Sequence, residues 1–414
     1  MPNSVPSNLS PETWPFSLEF IPENACMVGG AVRDALLGKT REYLDLDFVV
    51  PSKAVKVARK IAAHYQAGFV LLDSERQIAR VVFPNATADF AQQEGDNLET
   101  DLHRRDFTIN AIAYNPHTQE IIDPLQGYAD LQQRLLKMVS PANLEDDPLR
   151  LMRAYRQAAQ LGFTIEANTQ TAIRSLASHI TEVAAERVRV EIGYLLANSQ
   201  GTPWLTKAWE DNLLASFFPN ATKESFVKLA GVDYSAAILA EYWQELEMKL
   251  REYVRDTIKT TWLSIAKLAC LVNPEPEAAE TQLLQLSYSK AEAKGVTTVL
   301  RLFPQLKVPK ISLREQYFLF QEAGFVFPAA AVFAITNGTL VEAIAPLINR
   351  YLNPDDLVAH PTQLLSGKEL IIALEIPASP LVGKLLTEIA VAQIEGKIST
   401  TAEALELARQ LVGE

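Results

Sequence analysis

The chain has 414 residues, 48% of them hydrophobic and 21% charged, enough for a packed core and too long for one compact domain. No apolar run reaches the roughly 18 residues needed to cross a bilayer, and Met1-Pro-Asn-Ser lacks the basic and apolar regions of a signal peptide, so a cytoplasmic protein without membrane contact is expected. A net charge of −12 argues against a uniformly basic nucleic-acid binder but not against a local basic groove, since arginines cluster at 104–105, at 150, 153 and 156, and at 187 and 189.

Taken in chain order, Cys26-Met-Val-Gly predicts a short strand, broken by Gly29-Gly30, and Ala31 to Leu37 a short helix ending near Gly38. Leu44 to Val50 is a β-type run and Ala54 to Tyr65 is helical. Gln77 to Phe83 and Thr87 to Phe90 are strand-like about a Pro84-Asn85 turn. From Glu145 the pattern changes. Leu149, Met152, Tyr155 and Ala159 recur at helical spacing, as do Ala172, Ile173 and Leu176, and helical periodicity then runs to the end, interrupted by loops such as Asn273-Pro-Glu-Pro and Asn353-Pro-Asp-Asp. The expected class is α+β: a head with a mixed sheet, then an all-α remainder. Cys26 and Cys270 are far apart in apolar surroundings and read as reduced core residues.

The chemistry-bearing residues begin with Asp45-Leu-Asp47. Positions i and i+2 of a strand share a face, so the two carboxylates project together about 7 Å apart. Such a pair repels unless a cation lies between its members, and oxygen ligands of this kind suit Mg²⁺ together with substrate phosphates. A solvated or salt-bridged strand edge is the alternative. Upstream, Gly29-Gly30 between a strand and a helix exposes backbone N–H groups suited to phosphate, and Arg33, one turn in, can pair with the same group. Asp89 is a charged residue within an apolar strand, either a third metal carboxylate or a solvated Asp near a turn. In Arg104-Arg105-Asp106-Phe-Thr-Ile-Asn110, Arg105 and Asp106 either pair with each other or, with Asn110, handle a ribose and phosphates. In Asp146-Asp147-Pro-Leu-Arg150, Asp147 and Arg150 stand i,i+3 apart and Arg153 extends the row; with Arg156 they form either a capped, ion-paired surface helix or donors and acceptors for a base edge and phosphates.

These motifs in this order, followed by Glu186-Arg187-Val-Arg189-Val-Glu191, resemble the class II tRNA nucleotidyltransferases and bacterial poly(A) polymerases. Ile122-Asp123-Pro124 with Gly127 and Asp130 is similar to the family's connector after the head, and Leu365-Ser-Gly367-Lys368 with Gly383-Lys384 and Gln393-Ile-Glu395-Gly396-Lys397 to its C-terminal end. The resemblance implies a DNA-polymerase-β-like head over residues 1–140, a helical neck recognising the base over 141–205, a body over 206–355 and a tRNA-contacting tail over 356–414. It implies that Asp45 and Asp47 hold two Mg²⁺ and that Asp89 is the third catalytic carboxylate. Gly29, Gly30, Arg33, Arg105, Asp106, Asn110, Asp147, Arg150, Arg153 and Arg156 are then the nucleotide-binding set, with Asp147 and Arg150 pairing with the base of incoming CTP or ATP. The partners implied are the tRNA acceptor arm and its 3′ end.

Three departures refine this. Asp146 stands where the family often has Glu. No His-Asp dipeptide occurs, so no HD phosphohydrolase domain is expected. Only about 15 residues separate Asp89 from Arg104, an ordinary connection plus a short helix; CCA-adding relatives carry a longer flexible loop there, and enzymes that add only CC lack it. The expectation is therefore CC addition from CTP. The alternatives are CCA addition, A addition, poly(A) synthesis, a small-molecule nucleotidyltransferase, and an inactive RNA- or nucleotide-binding protein on the same fold.

Overall fold

A computed structural model describes residues 9–39, 43–255, 260–308 and 310–413, so Met1–Ser4 lie outside the described residues. The chain divides into two compact units, one comprising residues 1–188 with 207–213 and the other 189–206 with 214–414.

The first unit is built on a seven-stranded mixed sheet in the order β3-β4-β5-β2-β1-β6-β7. β1 (Cys26–Val28) leads through Gly29 into α1 (Gly30–Leu36), β2 (Leu44–Val50) and α2 (Ala54–Tyr65). A meander of β3 (Gly68–Asp73), β4 (Ile78–Phe83) and β5 (Ala86–Gln92) follows, then α3 (Leu98–His103), β6 (Ala113–Asn115), β7 (Glu120–Ile122), α4 (Gly127–Gln132) and β8 (Leu135–Leu136). Strand β5 pairs in parallel with β2, and the remaining pairs within this sheet are antiparallel. The predicted strands and helices up to residue 90 are present with ends shifted by a few residues, as fraying ends allow. Strand β3 lacks the period-2 signal: Phe69 to Leu72 is uniformly apolar because it forms an edge with both faces half-open.

The two faces of the sheet differ. On one, Phe48 and Phe90 stack at 5.2 Å, and Trp14 and Phe16 from the N-terminal segment close over Phe48. The other face is covered only in part. Cys26, Val28, Val49, Ala111 and Ala113 pack against Leu98 and Leu102 of α3, leaving the Asp45–Asp47 end of β2 open.

Behind the sheet the chain turns helical through α5 (Pro141–Asp146) and α6 (Leu149–Leu161). Strand β9 (Thr164–Ile165), paired in parallel with β8, leads on to α7 (Ala167–Leu176) and α8 (Ala185–Leu196). The row of apolar residues expected from Leu149 to Ala159 is indeed the buried stripe of α6. However, α5 ends at Asp146 and α6 starts at Leu149, so Asp147 lies at the junction rather than inside a helix, with Pro148 in the N-terminal position that tolerates its missing N–H. Tyr155 on α6 donates to Asp211 at 2.5 Å, and Arg174 holds the same carboxylate at 2.7 Å.

Among its described residues the regular structure of the second unit is helical apart from a small two-stranded pairing. At its centre the fully buried Lys267 ammonium meets Asp233 at 2.8 Å and donates to the carbonyls of Leu196 and Asn198 and to the Thr202 hydroxyl, so its charge is paired and its donors satisfied. One stretch, Leu313–Thr336, is on average apolar enough to cross a membrane although it is not an unbroken apolar run; 61% of its most apolar window is buried inside the fold and Gly324, at φ +46°, splits it into two helices, so it serves as core.

Candidate active site

The open end of β2 carries Asp45, exposed, and Asp47, half-buried, two residues apart on one face. Register sets their neighbours. Asp47 stands directly opposite Asp89 on β5, and Asp45 opposite Thr87, whose hydroxyl donates to Asp45 at 2.8 Å. Asp89 is in turn opposite Arg80 on β4, and the guanidinium fork takes both of its oxygens at 2.7 Å. Burial, followed by the charges of Asp45 and Asp89, pushes the Asp47 carboxyl up to about 7, against the pull of Arg105 and Arg80.

Beside Asp47 the chain leaves β1 through Gly29 at φ +71°, ψ −138°, a conformation essentially closed to residues with a Cβ. A Cβ there would lie 3.5 Å from both an Arg105 guanidinium nitrogen and an Asp47 oxygen, so the glycine backbone, the arginine and the carboxylate converge. Arg105 is anchored by Asp101 of α3 at 3.0 Å, and among the described residues its buried Nε has no hydrogen-bond partner. The Arg105 guanidinium beside the glycine turn is a donor group that suits an anionic oxygen.

The remaining predicted residues fall into two groups. Asp106 and Asn110 are buried, with Arg33 and Arg153 around them. Arg33 pairs with Asp34 and donates to Asn110 at 2.8 Å. The Asn110 amide donates to Asp106 and to Gln157, and Arg153 reaches Asp106 through two nitrogens at 3.0 and 2.8 Å. Burial opposes the charge on Asp106, but Arg153, Asn110 and the Phe107 N–H outweigh it and hold the carboxyl at about 2. This network ties α6 to the Asp106–Asn110 segment, and Asp106 pairs with Arg153 rather than with its chain neighbour Arg105.

The second group lines a polar cleft made by Arg76, Glu94, Arg104, Asp146, Asp147, Arg150 and Arg187. Here Arg150 donates to the carbonyls of Arg104 and Asn143, each at 2.9 Å, which clamps the 103–105 turn onto the α5–α6 junction. Its Nε stands 4.0 Å from Asp147, and Arg187 lies 3.5 Å from that carboxylate. Arg156, further along α6, donates to Gln160 at 2.9 Å and lies outside the residues lining this cleft.

Three matches to family models cover most of the chain: "Poly A polymerase head domain" over 25–137, "Probable RNA and SrmB- binding site of polymerase A" over 162–224, and tRNA nucleotidyltransferase domain 2 over 256–408. A CC-adding tRNA nucleotidyltransferase of Synechocystis sp. is 49% identical, the match covering 96% of each chain. The chain belongs to the tRNA nucleotidyltransferase family. Within that family, a CC-adding tRNA nucleotidyltransferase of Geobacter sulfurreducens is 32% identical over 92% of this chain and 90% of its own. An A-adding tRNA nucleotidyltransferase of Deinococcus radiodurans is 29% identical, covering 92% of this chain and 94% of its own. The fold is shared with a CCA-adding enzyme solved with ATP, with a TM-score of 0.71 at 21% identity, the match covering 94% of this chain and 91% of that one.

Such nucleotidyltransferases work with a metal, and the donor set here fits one. Two carboxylates on a strand face supply hard oxygens of the kind that hold a divalent cation together with phosphate and water. Burial and the neighbouring Asp45 and Asp89 carboxylates disfavour the anionic form of Asp47 despite Arg105 and Arg80, a penalty that a bound cation would offset. Among the described residues no three His, Cys, Asp or Glu side chains are grouped so as to hold a metal ion by themselves, and Asp89 pairs with Arg80.

Arg80, Thr87, Asp101 and Gln157, and in the polar cleft Arg76 and Glu94, are residues of this site that the motifs do not include. A two-residue turn at Pro84-Asn85 places residue 80 opposite 89, and Gln157 lies one turn beyond Arg153 on the same helical face, so both were implicit in the spacing.

Proposed function

We propose that this chain adds two C residues, from CTP, to the 3′ end of tRNA without a nucleic-acid template. The observation that carries the CC reading is the path from β5 to α3: only Gln93–Asn97 separate the two, Asn97 caps α3, and Arg105 follows on the next turn, so no long loop stands between the catalytic strands and the base-recognition helices. The identity to CC-adding relatives supports it.

In this reading Asp45 and Asp47 would hold Mg²⁺, whose charge would polarise the triphosphate. The glycine turn and Arg105 orient the phosphates; the Asp106 network fixes α6 and the Arg105 turn relative to one another. Asp147 and Arg150 present an acceptor and a forked donor to the cytosine edge, with Arg187 steadying Asp147. The tRNA 3′-oxygen then bonds to the α-phosphorus as pyrophosphate leaves on the opposite side. Residues 1–140 act as the head, 141–205 as the base-reading neck, and 206–355 and 356–414 as the body and tail that take the acceptor arm. The two free, buried thiols, Cys26 and Cys270, suit a cytoplasmic setting.

Single-nucleotide incorporation with Mg²⁺ tests the specificity. A tRNA lacking CCA should take up two labelled C residues, and a tRNA ending in CC should take up no A. Efficient A addition to the second would replace CC addition by CCA or A addition. For the base-reading role, Arg150→Ala should raise the KM for CTP by about tenfold while changing the KM for tRNA little. Equal losses on both substrates would reduce Arg150 to the clamp on the 103–105 turn.

A further inference from the structure

The open face of the head sheet continues past Asp89. Directly opposed residues in a sheet point to the same side. One row therefore runs Asp47, Asp89, Arg80, Val70 from β2 to the edge strand, and the next runs Asp45, Thr87, Val82, Gly68. Val70 on the edge strand and Val82 near the end of β4 are 44% and 38% exposed, an apolar pair facing solvent. Gly68 keeps the end of the second row flat, since a Cβ there would press within 3.2 Å of Val82. Arg80 uses Nε and Nη2 on Asp89, and its half-exposed side chain leaves the rest of the guanidinium outside that fork.

The direction of the reaction gives this strip a meaning. Gly29 and Arg105 lie on the β1 side of Asp47 and take the phosphates in the function proposed above. In an in-line displacement the entering hydroxyl and the departing pyrophosphate stand on opposite sides of the phosphorus. The hydroxyl must therefore arrive from the β5 side, across Asp89, where the sheet offers a cation flanked by apolar surface. That combination is complementary to a nucleotide, with its anionic phosphate and its flat sugar and base, and it is continuous with the carboxylates.

We propose that Val70, Arg80 and Val82 seat the terminal nucleotide of the acceptor RNA, with its phosphate on Arg80 and its ribose and base on the valines. This rests on the nucleotidyl-transfer reading. Arg80 is a positioning residue: it orients Asp89 and anchors the RNA whose hydroxyl reacts.

Steady-state C incorporation into tRNA lacking CCA, with CTP and tRNA varied separately, tests the strip. Val82→Glu should raise the KM for tRNA by about tenfold or more and leave the KM for CTP within about twofold. Val82→Lys should hold the tRNA KM at or below the wild-type value, a dependence on the sign of the charge that a folding defect would not produce. Arg80→Gln should raise the tRNA KM and lower kcat, and Arg80→Lys should recover the tRNA KM more than kcat, because a point charge binds phosphate but cannot fork around Asp89. An unchanged tRNA KM, a parallel rise in the CTP KM, or equal losses with Glu and Lys at 82 would overturn the strip while leaving the enzyme intact. A wild-type protein that incorporates no nucleotide would instead overturn the enzymatic reading on which the strip depends.

Discussion

Asp47→Ala should abolish C addition, lowering kcat on the order of a thousandfold or more, while the protein stays folded. The carboxylate sits between the glycine turn, Arg105 and Asp89, so removing it takes away the group that would share a metal ion with Asp45 and leaves Arg105 paired with Asp101 alone. The same substitution relieves repulsion. With Asp47 held near 7 by burial and two carboxylates, ionising it opposes folding in the metal-free protein, so the variant should melt no lower than wild type at pH 8 without metal. Circular dichroism melting beside the incorporation assay checks both halves. A variant with turnover near wild type would sink the metal assignment, and a large fall in melting temperature would make Asp47 structural.

Asp106 behaves in the opposite way. Its buried carboxylate accepts from Asn110, Arg153 and the Phe107 N–H, and Gln157 adds a longer contact at 3.3 Å. Asp106→Ala strands the guanidinium and two amides and should cost about 3–5 kcal/mol in urea unfolding. The pH dependence has a definite sign. A carboxyl at about 2 in the folded chain, against about 3.9 unfolded, stabilises the fold above about pH 4, and that contribution is lost as pH falls from 4 towards 2. Asp106→Asn should remove this step from the stability profile. Retention of the step would place the acid-labile group elsewhere.

Much of the site could be read in the sequence, because its parts are local. Two aspartates at i and i+2 on a strand, and a glycine pair between strand and helix, have only a few geometries open to them, and the structure has those geometries. What escaped depends on how distant segments pack. Nothing in Arg104-Arg105-Asp106 says which arginine the aspartate chooses; the choice falls on Arg153, 47 residues on, because α6 lays that side chain against the buried segment. Strand β3 escaped because an edge strand half-open on both faces has no alternation to display, and β6 and β7, at three residues each, are shorter than any periodicity can resolve. The break between Asp146 and Leu149 turns on Pro148, whose effect is easily taken for a continuing helix when only the apolar spacing is followed.

The parallel pairing of β2 with β5 also bears on how the protein comes into being. The two strands cannot lie side by side until everything from Pro51 to Asn85, including α2 and the β3–β4 ribbon, has been laid down and has crossed over. Pairings of that span form slowly, since the closure entropy is spent before the contacts can compensate. On a ribosome, Asp47 waits for Asp89 to emerge, so a chain that ends before β5 holds the Asp45–Asp47 pair without the carboxylate that stands opposite Asp47 in the sheet.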